Sequence, residues 1–374
     1  MAAKVFFTDL RAKNNQSLLD KMERVASRAG LNKVVEPGDL VAIKLHFGEP
    51  GNLAYIRPQY VRRVVDMVKK HQGKPFLTDA NTLYRGQRSN SVDHVEAAIL
   101  NGFDYAVAGA PVIIADGLTG KDYIKVPIPG KHFKEVNIGS AAVHADALVV
   151  MSHFKGHELT GFGGALKNLG MGLGSRSGKQ QMHSDMLPGV KDNLCTGCAR
   201  CQQWCPADAI AMEPWEGNKK GQKSRIMEEK CWGCGECGVT CTFDAININW
   251  RTTPQVMQEK TAEYALGAVA GKEGKVVYIS FVMDISPECD CYGHNDTAIA
   301  RNLGIMASLD PVALDHACVE MVNAQPTLPG CLIEGLEAGQ DKFEAVHPGV
   351  GWMAMLKHAQ DLGLGTLEYQ LVEV

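Results

Sequence analysis

The stretch Asp146-Ala-Leu-Val-Val-Met151 holds a continuous apolar run over 147–151, and it leads without a break into Ser152-His153-Phe154-Lys155-Gly156-His157. A short unbroken apolar run is the pattern of a strand buried on both faces, as in a parallel sheet covered by helices. In open α/β sheets ligands bind beyond the carboxyl ends of the strands. Here that position carries two imidazoles and an ammonium group. His153, Lys155 and His157 alternate, so on an extended chain they share one face.

Upstream, residues 4–8, 40–47 and 75–78 read as further strands. Residues 16–29, 60–70 and 92–100 repeat apolar side chains at helical spacing, and Pro58 stands near a helix start. Segments 112–115 and 123–128 read as two more strands forming a hairpin. Strand alternating with helix predicts an α/β fold with a mostly parallel sheet and helices on both faces. Two of these strands also end in chemistry: Lys44 and His46 close the run 40–47, and Asp79 and Asn81 follow 75–78. Lys44, His46, His153, Lys155 and His157 are therefore expected to converge as catalytic groups. The imidazoles would bind a metal ion or move protons near neutral pH; otherwise they cap the sheet end through hydrogen bonds.

Downstream lies the Gly-rich tract 160–174, Thr-Gly-Phe-Gly-Gly-Ala-Leu-Lys-Asn-Leu-Gly-Met-Gly-Leu-Gly. It matches neither a Walker A loop nor a dinucleotide fingerprint. Residues 164–170 are read as a helix whose first amides could hold an anion, with Gly163, Gly164, Lys167 and Asn168 as cofactor-binding residues. A close-packed loop is the alternative.

Two cysteine runs follow: Cys195-x2-Cys198-x2-Cys201-x3-Cys205-Pro206, and Cys231-x2-Cys234-x2-Cys237-x3-Cys241. This is the ligand spacing of a bacterial-type ferredoxin with two 4Fe–4S clusters, in which the fourth cysteine of each run ligates the other cluster. Cys195, Cys198, Cys201 and Cys241 are assigned to one cluster, and Cys231, Cys234, Cys237 and Cys205 to the second. Thr242 replaces the proline that the second run would carry. Zinc would favour two separated C-x2-C pairs, and disulfides an oxidising compartment. The phrases 205–212 and 241–248 resemble each other, which predicts two pseudo-symmetric halves of loop, short helix and strand. Trp204, Trp215 and Trp232 are expected to shield the clusters from water.

Beyond this unit residues 253–270 read as a helix, 275–281 as a strand, 311–322 and 350–362 as helices and 365–372 as a last strand. The α/β pattern resumes, so the expected organisation is an α/β domain over 1–186 and 251–374, interrupted by a small α+β ferredoxin-type domain over 187–250. Asp310 is expected to cap the helix at 311, and Asp315 to be a surface or structural carboxylate. Cys289-Asp290-Cys291 has three roles open to it: metal ligands, a redox dithiol, or two free thiols. Cys318 and Cys331 are read as packing residues.

The 374 residues are 45% hydrophobic and 21% charged, with a net charge of −4 and a pI of about 6.3. That balance argues against nucleic-acid or anionic-membrane partners. Residues 1–9 reach an aspartate before any apolar signal core forms, and no apolar run approaches the ~20 residues of a membrane span. A cytoplasmic protein in a low-oxygen setting is expected.

The phrase His153-Phe-Lys-Gly-His157…Gly161-Phe-Gly-Gly-Ala-Leu-Lys-Asn-Leu-Gly170, the two cysteine runs, Cys289-Asp-Cys291 and residues 304–315 (GIMASLDPVALD) together resemble the uncharacterised iron–sulfur-centre proteins. That family is named only as a domain of unknown function. The resemblance covers nearly the whole chain and implies an α/β domain interrupted by a two-cluster ferredoxin; it implies no reaction. The expected function is an oxidoreductase that passes electrons from a ferredoxin or reductase, through two 4Fe–4S clusters, to a small anionic substrate in the α/β domain. Two rivals stand beside it. One is a non-catalytic redox carrier or maturation partner that docks another protein; the other is a non-redox enzyme with structural clusters.

Overall fold

A computed structural model describes residues 2–84, 86–183, 187–205, 207–231, 236–247 and 253–374. Strands β1 (Ala3–Asp9), β2 (Leu40–Lys44) and β3 (Lys74–Thr78) come first. A hairpin of β4 (Tyr123–Pro127) and β5 (Glu135–Gly139) follows. Strand β6 (Ala147–His153) continues, one residue later, into a second hairpin of β7 (Lys155–His157) and β8 (Gly161–Gly163). The short strands β9 (Gly189–Val190), β10 (Ile210–Pro214), β11 (Gln222–Ile226) and β12 (Ile246–Asn247) belong to the cysteine-rich segment. The chain then returns with β13 (Val276–Val282), β14 (Gly304–Ser308) and β15 (Tyr369–Glu373).

Among the described residues the central sheet has the order β15-β1-β14-β13-β6-β2-β3. It is mainly parallel: only β14 runs against its neighbours β1 and β13. Alternate residues of β6 face opposite cores. Leu148 and Val150 pack on one side, and Val149 and Met151 on the other. This is why 147–151 reads as unbroken apolar sequence. Helices α1 (Leu18–Ala29) and α2 (Pro58–Lys70) cover one face. The other face carries α3 (Ala165–Leu173), α6 (Pro254–Val269) and α7 (Pro311–Asn323). Two further helices, α4 (Arg176–His183) and α5 (Glu236–Thr240), lie between α3 and α6 in sequence. Helices α3 and α6 meet closely at Gly170, where a Cβ would strike the carbonyl oxygen of Thr261.

Two expectations need correction. Segment 112–115 forms no hairpin with 123–127, because its backbone groups are spent along the outer edge of β3. The Leu77 amide donates to Pro111 O at 2.8 Å, and the Ile113 amide to Leu77 O at 2.9 Å. Strand β4 pairs with β5 instead. The amides that open α3 are not free for an anion either. Asp315, 150 residues away and fully buried, accepts from Ala165 N at 2.7 Å and Leu166 N at 2.9 Å. Asp310 caps α7 as expected, accepting from Ala313 N at 2.9 Å.

Asp315 makes fold stability sensitive to pH. Burial pushes its carboxyl from 3.8 up to about 7, against the pull of the two amide bonds. From about pH 4 to about pH 7 the folded chain keeps a proton that the unfolded chain has released, so stability falls as pH rises through that window. Asp315→Asn stays neutral throughout. In urea unfolding it should gain on the wild type as pH rises from about 4 to about 7. A difference independent of pH would show that this carboxyl does not titrate there.

Candidate functional site

The parallel strands β2, β3 and β6 end at the same edge of the sheet, and a cavity of about 450 Å³ opens there. Lys44, His46, Lys155, His157, Gly163, Gly164, Lys167 and Asn168 all line it. Residues not expected at the site stand beside them, chiefly Arg88, Glu158, Lys179 and His183, and Cys289 and Cys291 are there as well. Exposed Tyr292 also lines the cavity, so it reaches solvent on that side.

The cations are fixed by buried partners. Lys44 sits 3.0 Å from Asp79 and donates to Asn168 Oδ1 at 2.6 Å. Asn168 in turn donates to Met151 O at 2.9 Å, which ties Lys44 to the end of β6. Gly172 leaves the room this needs, since a Cβ there would strike the Lys44 ammonium. Arg88 binds Glu49 at 2.7 Å and lies 3.6 Å from Asp79. Lys179 donates to Gly174 O at 2.6 Å, and burial lowers it to about 8. Burial opposes charge on Asp79, but Lys44, His94 and Arg88 outweigh it and keep the carboxyl below its ordinary value.

His46 and His157 are held in one tautomer. Nδ1 of His46 accepts from Gly48 N at 3.0 Å; Nδ1 of His157 accepts from Leu159 N at 3.1 Å and Thr160 N at 3.2 Å. A backbone N–H can only donate, so each ring carries its proton on Nε2. Desolvation, then the neighbouring cations, depress both rings well below 6.5, so both are neutral. Such rings donate to an anion, whereas a metal ion would need the Nε2 lone pair that this tautomer withholds. Among the described residues no three His, Cys, Asp or Glu side chains converge on a single metal ion.

His153 does not line the cavity. Its Nδ1 lies 2.7 Å from Asp290 Oδ1, and its Nε2 lies 2.9 Å from Met283 O and 3.0 Å from Asp284 O, in the loop after β13. Lys155 holds the other oxygen of Asp290 at 3.0 Å. The alternation of 153, 155 and 157 does not carry through, because β6 stops at His153 and β7 starts a new hairpin. His153 therefore positions Lys155 and the 289–291 loop from behind. Asn81 is likewise structural, bonded to Asp116 and Gly117.

In the cysteine-rich segment, Cys195, Cys198 and Cys201 of the first run and Cys241 of the second line one small hollow of about 20 Å³, with Ser224 and Ile246. Ser224 Oγ is 3.1 Å from Cys201 Sγ, and the Ser224 amide points at Cys195 Sγ at 3.5 Å. Cys205 Sγ accepts from Ala209 N at 3.2 Å, and Cys205 packs in the same cluster as Cys237. Strands β9 and β12 pair, so the segment begins and ends at one ladder. Cys231 is half-buried; Cys234, Pro206 and Trp232 lie outside the described residues. Trp204 stacks under Lys121, 3.8 Å from ring centre to ammonium, and is itself exposed.

Two outcomes check this geometry. His153→Ala leaves Asp290 buried with one partner fewer and should cost roughly 3 kcal/mol in urea unfolding. His46→Ala removes a half-buried ring anchored through one backbone amide and should cost about 1 kcal/mol; equal losses would put His153 in the same class as His46. In nitrogen-15 NMR, both His46 and His157 should report neutral rings protonated at Nε2 from about pH 5 to about pH 8. Titration of either ring within that range would contradict the assignment.

Residues 41–320 match the family model described as Domain of unknown function (DUF362). Among solved structures, the lactate racemase apoprotein from Thermoanaerobacterium thermosaccharolyticum is 12% identical with a TM-score of 0.38, over 75% of this chain and 51% of that one. A crystal structure of a Thermotoga maritima protein is 10% identical with a TM-score of 0.37, over 79% and 56%. The chain spans about half the length of the solved structures it matches. With the family model covering most of its length, the chain belongs to the family of the domain of unknown function DUF362.

Proposed function

We propose that this protein is an iron–sulfur electron-transfer protein of the oxidoreductase class. Segment 187–250 would hold two 4Fe–4S clusters, and the cavity at the sheet edge would bind a small anionic substrate. The observation that carries the reading is a shared wall. Helix α4 supplies Lys179 and His183 to the cavity and packs against α5, which bears Cys237. Lys121 adds a second tie, donating to Thr240 Oγ1 at 2.7 Å at the end of α5.

The donor set fits the clusters. Thiols from both runs meet at one hollow, in the crossed arrangement that ferredoxin spacing implies. Each cysteine of a cubane binds a different iron, so its sulfurs need not close on a single point as those of one zinc ion must. The hollow is smaller than a cluster, so these loops would have to spread to hold one. When bound, such clusters store and pass single electrons at potentials set by charge and by hydrogen bonds to sulfur. Ser224 and Ala209 supply such hydrogen bonds to Cys195, Cys201 and Cys205. In the cavity, the ammonium groups of Lys155 and Lys167 attract the anion, and the Nε2–H groups of His46 and His157 orient it. Leu83, Leu159 and Met171 exclude water around it. A ferredoxin or reductase would be the electron partner. Among the described residues no helix is long and apolar enough to cross a membrane, and a cytoplasmic setting suits reduced thiols and clusters.

Anaerobically reconstituted protein should carry about eight irons and eight acid-labile sulfides. Cys241→Ser should damage the cluster assigned to Cys195, Cys198 and Cys201, as resolved by electron paramagnetic resonance. Stoichiometric zinc without visible absorbance would defeat the reading, and damage confined to the cluster of Cys231 and Cys237 would remove the crossed assignment.

A further inference from the structure

We propose that Cys289 and Cys291 form a redox dithiol that reduces a small anionic disulfide bound in the cavity. The substrate class deepens the reading above and rests on it for the supply of electrons. Both sulfurs line the cavity. Lys167 Nζ lies 3.1 Å from Cys289 Sγ.

The loop that presents them is pinned at every residue. The Tyr292 amide donates to Cys289 O at 3.1 Å, closing a turn that sets the two thiols side by side. Asp290, between them, is clamped by His153 and Lys155, and its carbonyl accepts from Glu49 N at 3.0 Å. The Cys291 carbonyl accepts from Tyr84 Oη at 3.0 Å.

The two sulfurs differ in role. The Cys291 hydrogen bond, working against burial, and then the Lys167 and Lys155 charges hold the Cys289 thiol well below its ordinary range; the same bond pushes Cys291 well above it. Cys289 is thus the nucleophilic thiolate and Cys291 the resolving thiol. Cys318 supplies the contrast. It is buried, and burial, with the Asp315 charge behind it, pushes it well up, as for an inert packing thiol.

A small substrate follows from access, because Cys289 is only 1% exposed and is reached through the cavity. About 450 Å³ lies within the range of small-molecule sites. An anionic one follows from Lys155, Lys167 and the two Nε2–H donors.

The exchange balances. Cys289 thiolate attacks one substrate sulfur; a mixed disulfide forms, the substrate S–S bond breaks, and the first thiolate leaves beside Lys167. Cys291 then attacks Cys289 Sγ, and the second product leaves with the Cys291 proton. The dithiol has lost two electrons and the substrate has gained them. Two electrons and one proton restore the thiolate and thiol, and clusters held by segment 187–250 would supply those electrons singly.

Full-length protein, held anaerobically, is treated with dithiodiglycolate (a dianion) or with neutral hydroxyethyl disulfide, and its peptides are mapped by mass spectrometry. The dianion should close the Cys289–Cys291 disulfide about tenfold faster than the neutral probe. Cys291→Ser should trap the mixed disulfide on Cys289, and Lys167→Met should slow its formation. Thiols left reduced at both positions, an adduct on Cys291 instead, or equal rates for the two probes would overturn the proposal. Cluster-loaded protein given reduced ferredoxin should reopen the disulfide, while cluster-free protein should not. Failure of this last arm alone overturns the electron route and leaves the dithiol standing; about eight irons with an unreactive Cys289 does the reverse.

Discussion

Asp290 is the point on which the cavity depends. It is fully buried, and burial by itself opposes its charge; the His153 and Lys155 charges outweigh that and hold its carboxyl well below the ordinary range. A buried charge is tolerated only when paired and hydrogen-bonded. Here the pairing is also architectural. His153 ends β6, Lys155 opens β7, and Asp290 comes from the loop after β13, so one carboxylate ties three chain segments at the edge of the sheet. The flanking cysteines inherit their positions from it.

The same logic spreads across the cavity wall. Lys44, Asp79, Arg88 and Glu49 form a chain of alternating charge with little solvent contact. Each cation is held apart from the next by an acid, which keeps several positive groups around one space without mutual repulsion winning. The imidazoles respond by staying neutral, because desolvation and the surrounding ammonium groups both oppose a further positive charge. The result is a wall rich in donors, suited to an anion and unsuited to a metal ion held through these rings.

The cysteine-rich segment joins this body as an excursion that closes on its own β9–β12 ladder. It meets the rest of the chain where α4 packs against α5 and where Lys121 donates to Thr240.

Much of the fold was legible in residue order, because strands buried on both faces must be apolar throughout and helices between them must repeat at helical spacing. The runs at 40–44, 74–78, 147–153 and 276–282 carry that signal. Most candidate site residues were legible for a similar reason: polar groups at the carboxyl ends of parallel strands have one edge of the sheet to share. What sequence left undecided turns on contacts between distant residues. Nothing near 165 announces that Asp315 fills the amides of α3, and nothing near 153 announces that Asp290 claims that imidazole. Arg88, Lys179 and His183 reach the cavity from segments with no local motif. Cys289 and Cys291 kept three roles in sequence, since the reactivity of a thiol is set by the charge beside it. Only the tertiary structure brings Lys167, from a helix more than a hundred residues earlier, to 3.1 Å from that sulfur.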